Sequence, residues 1–522
     1  MKKISCLTTA ILMAFSAFAG NFNDGLRRSS PEEQGVHSED IASLVSAISE
    51  KGYEIHSLMI IRNNAVIAEH WWAPYAPEYS HAMYSNTKSW TSMAIGFAVQ
   101  EGLLKIDDRL VDIFPDLVPA DADPRTYKLT VFHLLSMSAG HAPASGGSTL
   151  ERYAGAGDEQ VCSFLSSKFG WEPGTHFEYN INCSHMLSNI ISRLTGMTLY
   201  EYLKPRLLDP LGVEPEAWEM DLSGRNMGNG GLHLKTSDMA KYGLFILNKG
   251  KWNGQQLLNS EWIDAATTPH IFQKGGNAPE ADAKDDGGQG YGYQIWMGRH
   301  NSFRAIGAQN QVTLMLPEQN LVVVSTGAIG DEAGFNSLVY EFADKLSDKK
   351  VKKNNKDFDL ENELAKYSLK KPFETASAAK LTSQTKKYQM FQNDLGISAV
   401  AFRYDAEGNV YVTLESNNSI NNLSFGLDKW LISASDRKMM FARSAYPNTM
   451  GVTPYRMAGM ASWENETVLN TYYLSMFNTG SSESFRFTFT DNFLKMEIVA
   501  PSSTRRGAVA AVNVVLEGAL LR

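Results

Sequence analysis

The sequence predicts an α+β fold: an antiparallel sheet flanked by helices with a helical insertion, followed by a separate β-rich domain. Two observations lead to this prediction. Strand patterns occur near residue 56 and again near residue 321, with helix patterns between them, so the sheet is expected to take strands from both ends of the first domain. Beyond about residue 381 the hydrophobic period changes to two, which is typical of half-buried strands. With 522 residues, 43% of them hydrophobic, the chain can fill more than one core.

The elements of the first domain follow from local patterns taken in chain order. Two strands are predicted at 56–61 and 65–70, joined by an Asn63-Asn64 turn, and a helix at 86–101 that stops at Gly102. The remaining predicted elements are helices at 131–135, 184–194 and 237–247, strands at 303–306, 312–316 and 321–325, and a closing helix at 336–345.

The N-terminal segment has the features of an export signal. Lys2 and Lys3 precede an apolar stretch at 4–18, and Ala17-Phe18-Ala19 offers a cleavage pattern before Gly20. The apolar stretch is short for a membrane span, and no later run is longer. We therefore expect a signal peptide at 1–19 and a periplasmic or secreted protein with no stable membrane span.

Composition divides the rest of the chain and limits its partners. The first domain is expected at 20–347, a polar linker at 348–380 and the β-rich domain at 381–522. A formal net charge of -9 disfavours binding to nucleic acid. After removal of the signal, Cys162 and Cys183 remain, and either a disulfide or two buried thiols is consistent with an oxidising compartment.

Several catalytic classes are excluded by their missing motifs. The chain has no Gly-x-Ser-x-Gly, no His-Glu-x-x-His, no Gly-x-x-x-x-Gly-Lys-Ser/Thr and no Cys-x-x-Cys. A typical α/β-hydrolase, a zincin and a P-loop enzyme are therefore disfavoured. The 11 histidines are scattered, and structural roles account for them better than metal ligation.

A serine and a lysine at the start of the 86–101 helix are the first candidate for chemistry. Ser85 and Lys88 are three residues apart, so on a helix they share a face. A serine becomes a nucleophile when a neighbouring base takes its proton, and an uncharged lysine can be that base. Five other Ser-x-x-Lys patterns lie in polar or linker surroundings that favour surface placement: Ser347/Lys350, Ser368/Lys371, Ser377/Lys380, Ser383/Lys386 and Ser435/Lys438.

Two further segments add candidate groups. Tyr179 follows a Pro173-Gly174 turn, and its phenol could relay a proton, although a packing role is the simpler interpretation of any single tyrosine. The strand pattern at 303–308 ends in Gly307 and Ala308, where a strand edge can present a backbone N–H to a carbonyl oxygen. The glycine would let a substrate approach closely.

In this order the three segments resemble the penicillin-recognising superfamily of serine hydrolases. That group includes class C β-lactamases, DD-peptidases, family VIII esterases and 6-aminohexanoate-dimer hydrolases. The resemblance covers about residues 30–347 and includes four more segments, LKIDD at 104–108, HLLSMSAG at 133–140, LLDPLG at 207–212 and GGLHLKTSDMAK at 230–241. It implies a β-lactamase/transpeptidase-like fold that needs no metal or organic cofactor.

The resemblance also implies roles for individual residues. Ser85 would be acylated, Lys88 and Tyr179 would shuttle its proton, and the backbone N–H groups of Ser85 and Ala308 would form an oxyanion hole. Gly307 would border the substrate. Asn182 would contact the substrate in place of the asparagine that the family carries two residues after its tyrosine.

Two departures from the family pattern bear on the substrate. Ile181 stands where β-lactam-directed members have that asparagine, and Ala305 stands where they have the Lys or His of a Lys/His-x-Gly triplet. Arg304 is adjacent, but strand alternation should point it to the opposite face. We therefore expect an esterase or oligoamide-hydrolase acting on a small, weakly charged ester, amide or peptide-like substrate. The alternatives are a β-lactamase or DD-peptidase, and a non-catalytic penicillin-binding-like sensor or binding protein.

Overall fold

A computed structural model of the chain describes residues 24–142, 156–273, 285–373, 385–416, 419–435, 454–476, 482–500 and 512–521. The expected signal peptide at 1–19 lies outside the described residues.

The first domain is built on a six-stranded antiparallel sheet. Its strands and those of two smaller sheets are, in chain order, β1 (Ile55–Arg62), β2 (Ala65–Trp71), β3 (His81–Ala82), β4 (Ala217–Trp218), β5 (Leu232–Leu234), β6 (Lys251–Trp252), β7 (Gln255–Gln256), β8 (Trp296–Met297), β9 (Phe303–Gly307), β10 (Gln311–Leu316) and β11 (Leu321–Gly327). The large sheet has the order β2-β1-β11-β10-β9-β8. Ile60 of β1 is paired with Val323 of β11, so the predicted use of strands from both ends is confirmed.

Helices cover both faces of this sheet. They are α1 (Ser38–Glu50), α2 (Thr87–Gln100), α3 (Leu110–Ile113), α4 (Val131–Leu135), α5 (Asp158–Leu165), α6 (Ile181–Thr195), α7 (Leu199–Leu203), α8 (Asp209–Leu211), α9 (Thr236–Leu247), α10 (Ser260–Ala266), α11 (Glu332–Ala343) and α12 (Leu360–Leu364). The helices between β3 and β8 form the predicted helical insertion.

Alternation along the strands divides the first domain into two cores. Leu58 and Ile60 of β1 face a core that also contains the apolar side chains of α1 and α11. Met59 and Ile61 face the opposite core, shared with α2, α6 and α9. Successive residues of a strand point to opposite faces, so a strand covered on both faces is buried along its whole length, as β1 is.

Part of the segment predicted as a polar linker packs against the first domain. Residues 360–364 form the short helix α12, and Leu364 is buried in the core against α1 and α11. One imidazole nitrogen of His70, in β2, lies 3.0 Å from the carbonyl oxygen of Tyr367. Apolar side chains spaced along a charged sequence thus hold this stretch against the domain.

The C-terminal domain is a β-barrel, in agreement with the predicted β-rich domain. Its strands are β12 (Lys386–Met390), β13 (Ile397–Tyr404), β14 (Asn409–Ser416), β15 (Ser419–Leu427), β16 (Leu431–Ser435), β17 (Tyr455–Asn465), β18 (Val468–Ser475), β19 (Ser482–Phe489), β20 (Phe493–Ala500) and β21 (Val512–Leu520). They pair in the order β15-β14-β13-β12-β21-β20-β19-β18-β17-β16, and a parallel contact between β15 and β17 closes the barrel. Aromatic and aliphatic side chains fill its interior.

Two sequence expectations concern the cysteines and the membrane. Cys162 in α5 and Cys183 in α6 are free thiols, so the disulfide alternative does not describe this structure. None of the helices in the described ranges is long and apolar enough to span a membrane.

Candidate active site

Ser85 lies on a tight turn that leads directly into α2. The Ser85 turn is the 3₁₀ segment Tyr84–Asn86, and Tyr84 has a φ of 45°, a left-handed conformation that is strained for a bulky residue. The side-chain amide of Asn86 donates to the carbonyl oxygens of Ala305 and Gln311, each at 3.1 Å. These bonds fix the turn to β9 and β10, while Ser85 itself is half-buried.

Lys88 lies one turn further along and reaches back to the serine. Its Nζ is 3.0 Å from Ser85 Oγ and 2.7 Å from the carbonyl oxygen of Asn229, to which it donates. The lysine is 1% exposed, so its amine meets protein rather than bulk solvent. The juxtaposition that the three-residue spacing predicts is therefore present.

Tyr179 comes from a distant loop to the same place. It ends the loop before α6, and the centroid of its ring is 5.2 Å from Lys88 Nζ. Tyr179 is half-buried. A hydroxyl and an amine thus lie within hydrogen-bond distance, with the ring of Tyr179 beside the amine, and the role of Tyr179 as a proton relay stays a prediction.

An aromatic wall lies beside these groups. It consists of Phe177, Tyr179, Tyr291 and Trp296, and the ring of Trp296 contacts the other three. The ring centroids of Tyr179 and Trp296 are 5.6 Å apart, and those of Tyr291 and Trp296 are 4.9 Å apart. Burial raises the pKa of Tyr291 well above its usual value, so this phenol stays neutral. Trp296 is half-buried and gives the site an apolar surface.

A second possible nucleophile near the lysine is inaccessible. Cys183, in the first turn of α6, is completely buried, and this burial raises the pKa of its thiol. A thiol that stays protonated and out of contact with solvent is a structural group. Ser85 is the group that a substrate can reach.

The end of β9 borders the site, and Gly307 packs against the backbone that leads into the Ser85 turn. A Cβ added at Gly307 would lie 2.0 Å from the carbonyl oxygen of Met83. The space that the missing side chain leaves is thus filled by the backbone before Ser85, and the predicted place of Gly307 beside a substrate stays a prediction. Ala308 follows directly and is half-buried. Its role as an oxyanion donor stays a prediction.

The structure shows the surroundings of the two positions that differ from the family pattern, Ile181 and Ala305. Asn180 caps α6, its side chain accepting from the N–H of Asn182 at 3.0 Å. Asn182 is 4% exposed, and its role toward a substrate stays a prediction. Arg304 donates to the carbonyl oxygen of Met297 at 2.9 Å and points away from the face of Ala305, as strand alternation predicts. It does not replace the missing cation at Ala305.

Sequence reasoning missed the groups that hold the site together. Asn229, which accepts from Lys88, lies in the loop before β5. The adjacent Gly228 is required there because a Cβ would come 2.3 Å from the carbonyl oxygen of Ser184 in α6. The glycines at 228, 230 and 231 are the one local signal of this close packing. No local sequence pattern indicates that Trp296 and Asn86 belong to the site.

The fold and this convergence of side chains define a class of protein, the penicillin-recognising serine hydrolase superfamily. Residues 41–327, more than half of the chain, match the beta-lactamase family, and the chain belongs to that family. Within the ranges that the structure describes, no group of three or more His, Cys, Asp or Glu side chains could hold a metal ion.

Similar proteins include both hydrolases and peptidase homologues. The 6-aminohexanoate-dimer hydrolase of Paenarthrobacter ureafaciens is 24% identical over 247 residues, which cover 45% of this chain and 63% of that enzyme. The putative D-alanyl-D-alanine carboxypeptidase of Escherichia coli K12 is 23% identical over 339 residues, covering 51% of this chain and 77% of that protein. A solved structure, the putative 6-aminohexanoate-dimer hydrolase from Bacillus anthracis, aligns with a TM-score of 0.49 and 18% identity, over 61% of this chain and 87% of that one.

Proposed function

We propose that the protein is an exported serine hydrolase that cleaves ester or amide bonds through an acyl intermediate on Ser85. The observation that carries this proposal is the position of Lys88 Nζ, 3.0 Å from Ser85 Oγ and held from the other side by the Asn229 carbonyl. A half-buried serine that is hydrogen-bonded to a buried amine is arranged for deprotonation.

In the acylation step, Ser85 Oγ attacks the substrate carbonyl carbon while its proton passes to Lys88 or Tyr179. The carbonyl oxygen becomes an oxyanion, for which the backbone N–H groups of Ser85 and Ala308 are the proposed donors. The tetrahedral intermediate collapses when the bond to the leaving alcohol or amine breaks. The proton returns to that leaving group through Tyr179, and the acyl group remains on Ser85.

Deacylation repeats these steps with water as the nucleophile. Water gives a proton to the same Lys88 and Tyr179 pair and attacks the acyl carbonyl carbon. The ester bond to Ser85 Oγ then breaks, Oγ takes the proton back, and the carboxylic acid leaves. The enzyme is restored without a cofactor, and one water is consumed in each turnover.

The substrate is proposed to be small and weakly charged where it meets the end of β9. Ala305 cannot hold a carboxylate, and Arg304 is committed to the Met297 carbonyl. The aromatic wall next to Tyr179 favours apolar groups on the acyl or leaving side. A relative named a 6-aminohexanoate-dimer hydrolase supports an amide as one of the bonds that could be cleaved.

Export is part of the proposal and has its own test. The N-terminal charge, apolar stretch and Ala17-Phe18-Ala19 pattern support cleavage before Gly20. N-terminal sequencing of the protein from a periplasmic extract or culture medium should begin at Gly20. A chain that keeps Met1 and stays in the cytoplasm would contradict export.

The enzymatic proposal is tested by comparing substrates on matched variants. Wild type, Ser85→Ala and Ser368→Ala are incubated with p-nitrophenyl acyl esters, a fluorophosphonate and a labelled penicillin. Ser368 belongs to another Ser-x-x-Lys pattern but lies exposed beyond α12, so it is a matched control. We expect steady-state ester hydrolysis and fluorophosphonate labelling in wild type and Ser368→Ala, and neither in Ser85→Ala.

The other outcomes identify the alternatives. Rapid turnover of the penicillin with slow ester hydrolysis would favour a β-lactamase or DD-peptidase-like enzyme. A burst equal to the protein concentration without a steady state would favour a sensor or binding protein. Ester turnover that survives Ser85→Ala would exclude Ser85 as the nucleophile.

A further inference from the structure

A small three-stranded sheet adjoins both the turn that contains Ser85 and the loop that contains Asn229, whose carbonyl binds Lys88. The small sheet has the order β3-β5-β4, and β3 is followed directly by the Ser85 turn. The N–H of Met83 donates to the carbonyl oxygen of Leu232 at 2.7 Å, which ties the turn to β5. Asn229 lies in the loop just before β5. Any displacement of the small sheet would therefore move both Ser85 and the carbonyl that holds Lys88.

A single arginine from the barrel contacts this sheet near two of its strands. Arg456, in β17, donates to both carboxylate oxygens of Glu216, at 3.0 and 2.7 Å, and Glu216 directly precedes β4. Its guanidinium carbon lies 4.5 Å from the ring centroid of Tyr79, two residues before β3. One planar cation thus joins the approaches to β3 and β4.

Apolar packing surrounds this contact. Tyr75 is 3% exposed and lies in a core cluster with Ala458, Leu474 and Met476 of the barrel. The segment from Tyr75 to Ser85 therefore contacts the barrel twice before the serine: Tyr75 lies in the interdomain core, and Tyr79, just before β3, contacts Arg456. A bidentate arginine fixes direction as well as distance, which a lysine or an apolar contact does not.

We propose that Arg456 is a positioning residue, through which the barrel holds the small sheet and hence Ser85 and Asn229 in register. The inference rests on the proposed hydrolase function. A partly exposed ion pair contributes little to global stability, so the effect belongs in the geometry of the reacting groups. Small displacements of a nucleophile reduce the rate of chemistry far more than they reduce substrate binding.

The test combines kinetics with a readout that needs no activity. Arg456→Ala, Glu216→Ala and their double variant are assayed with p-nitrophenyl butyrate. Each is expected to lower kcat about tenfold with KM within about twofold, and the double variant should lose no more than either single one. Arg456→Lys should recover part of the rate. Amide hydrogen exchange of 79–85 and 229–234 should accelerate in Arg456→Ala.

The matched control is Arg486→Ala, which removes an arginine paired with Glu464 within the barrel. It should leave kcat and both exchange rates as in wild type. Equal kcat and equal exchange in Arg456→Ala and wild type would overturn the inference, as would a loss of thermal stability alone. If turnover survives Ser85→Ala, the proposed function fails, and the exchange comparison by itself decides whether Arg456 positions the sheet.

Discussion

The contacts of Lys88 include a hydroxyl that it would deprotonate and a backbone carbonyl that fixes its amine. The carbonyl of Asn229 holds Nζ at 2.7 Å, so the amine has little freedom to leave Ser85. Burial also distinguishes the two possible nucleophiles: Cys183 is completely buried, whereas Ser85 is partly exposed. The chemistry of the site thus depends on access as much as on residue type.

Replacing the amine tests this arrangement. Lys88→Met keeps most of the side-chain volume but removes the proposed base, and kcat for ester hydrolysis should fall about 10²- to 10⁴-fold. The Asn229 carbonyl loses its partner, which should also lower the unfolding free energy by about 1–3 kcal/mol. Stopped-flow acylation rates and urea unfolding measure the two effects. Acylation at the wild-type rate would show that Lys88 is not the base.

Gly307 provides a steric test at the same scale. A methyl group there meets the Met83 carbonyl oxygen at 2.0 Å, and a backbone atom cannot move aside cheaply. Gly307→Ala should therefore displace the Ser85 turn, lowering kcat and destabilising the fold by about 1–3 kcal/mol. Gly330→Ala is the control, since nothing lies within 4 Å of its added Cβ. Similar losses in both variants would show that the contact with Met83 is not the cause.

Some residues of the site are accessible to sequence reasoning and others are not. Ser85 and Lys88 are local neighbours, so their spacing predicts their contact. Tyr179 is recognised through the resemblance, since nothing nearby distinguishes it from the other tyrosines. Asn229 and Trp296 reach the site only because distant segments fold together, and a local pattern carries no record of that.

Among the elements, helix starts show most clearly what the sequence pattern leaves out. The helix predicted at 184–194 begins at Ile181, because the side chain of Asn180 caps it. The helix predicted at 336–345 begins at Glu332, where Asp331 accepts from the N–H of Gly334 at 2.9 Å. Hydrophobic periodicity marks only the buried face, so a polar first turn held by an Asx cap lies outside the pattern.

Strands β1 and β3 bring together two histidines that predict how stability depends on pH. His56 and His81 are completely buried, with 3.2 Å between His56 Nδ1 and His81 Nε2, and burial lowers the pKa of both. The unfolded chain takes up protons below a pH of about 6.5, whereas the folded chain resists them. The unfolding free energy should therefore fall as the pH drops from 7 toward 5, by about 1.4 kcal/mol per pH unit for each such proton.

Urea unfolding between pH 7.5 and 5 measures this dependence. His81→Asn removes one of the two groups and should flatten the profile. An unchanged slope in His81→Asn would show that the histidine pair does not cause the loss of stability in acid.

At the scale of the whole molecule, the sequence predicts two domains and their classes but not how they join. Period-two alternation indicates strands beyond residue 381, yet the β15 to β17 contact that closes the barrel depends on tertiary geometry. The small sheet likewise combines strands from two distant parts of the chain, each strand two or three residues long. Such short strands have no pattern of their own, so the link from the barrel through Arg456 to the Ser85 turn becomes visible only in the folded protein.

The most direct measurement of the central claim is the mass of the protein during turnover. A slow ester substrate is mixed with wild type, quenched in acid within the first turnovers, and digested for peptide mapping. We predict one acyl adduct, carried by the peptide that contains Ser85 and absent from Ser85→Ala. An adduct on another residue, or steady turnover by Ser85→Ala, would contradict the account.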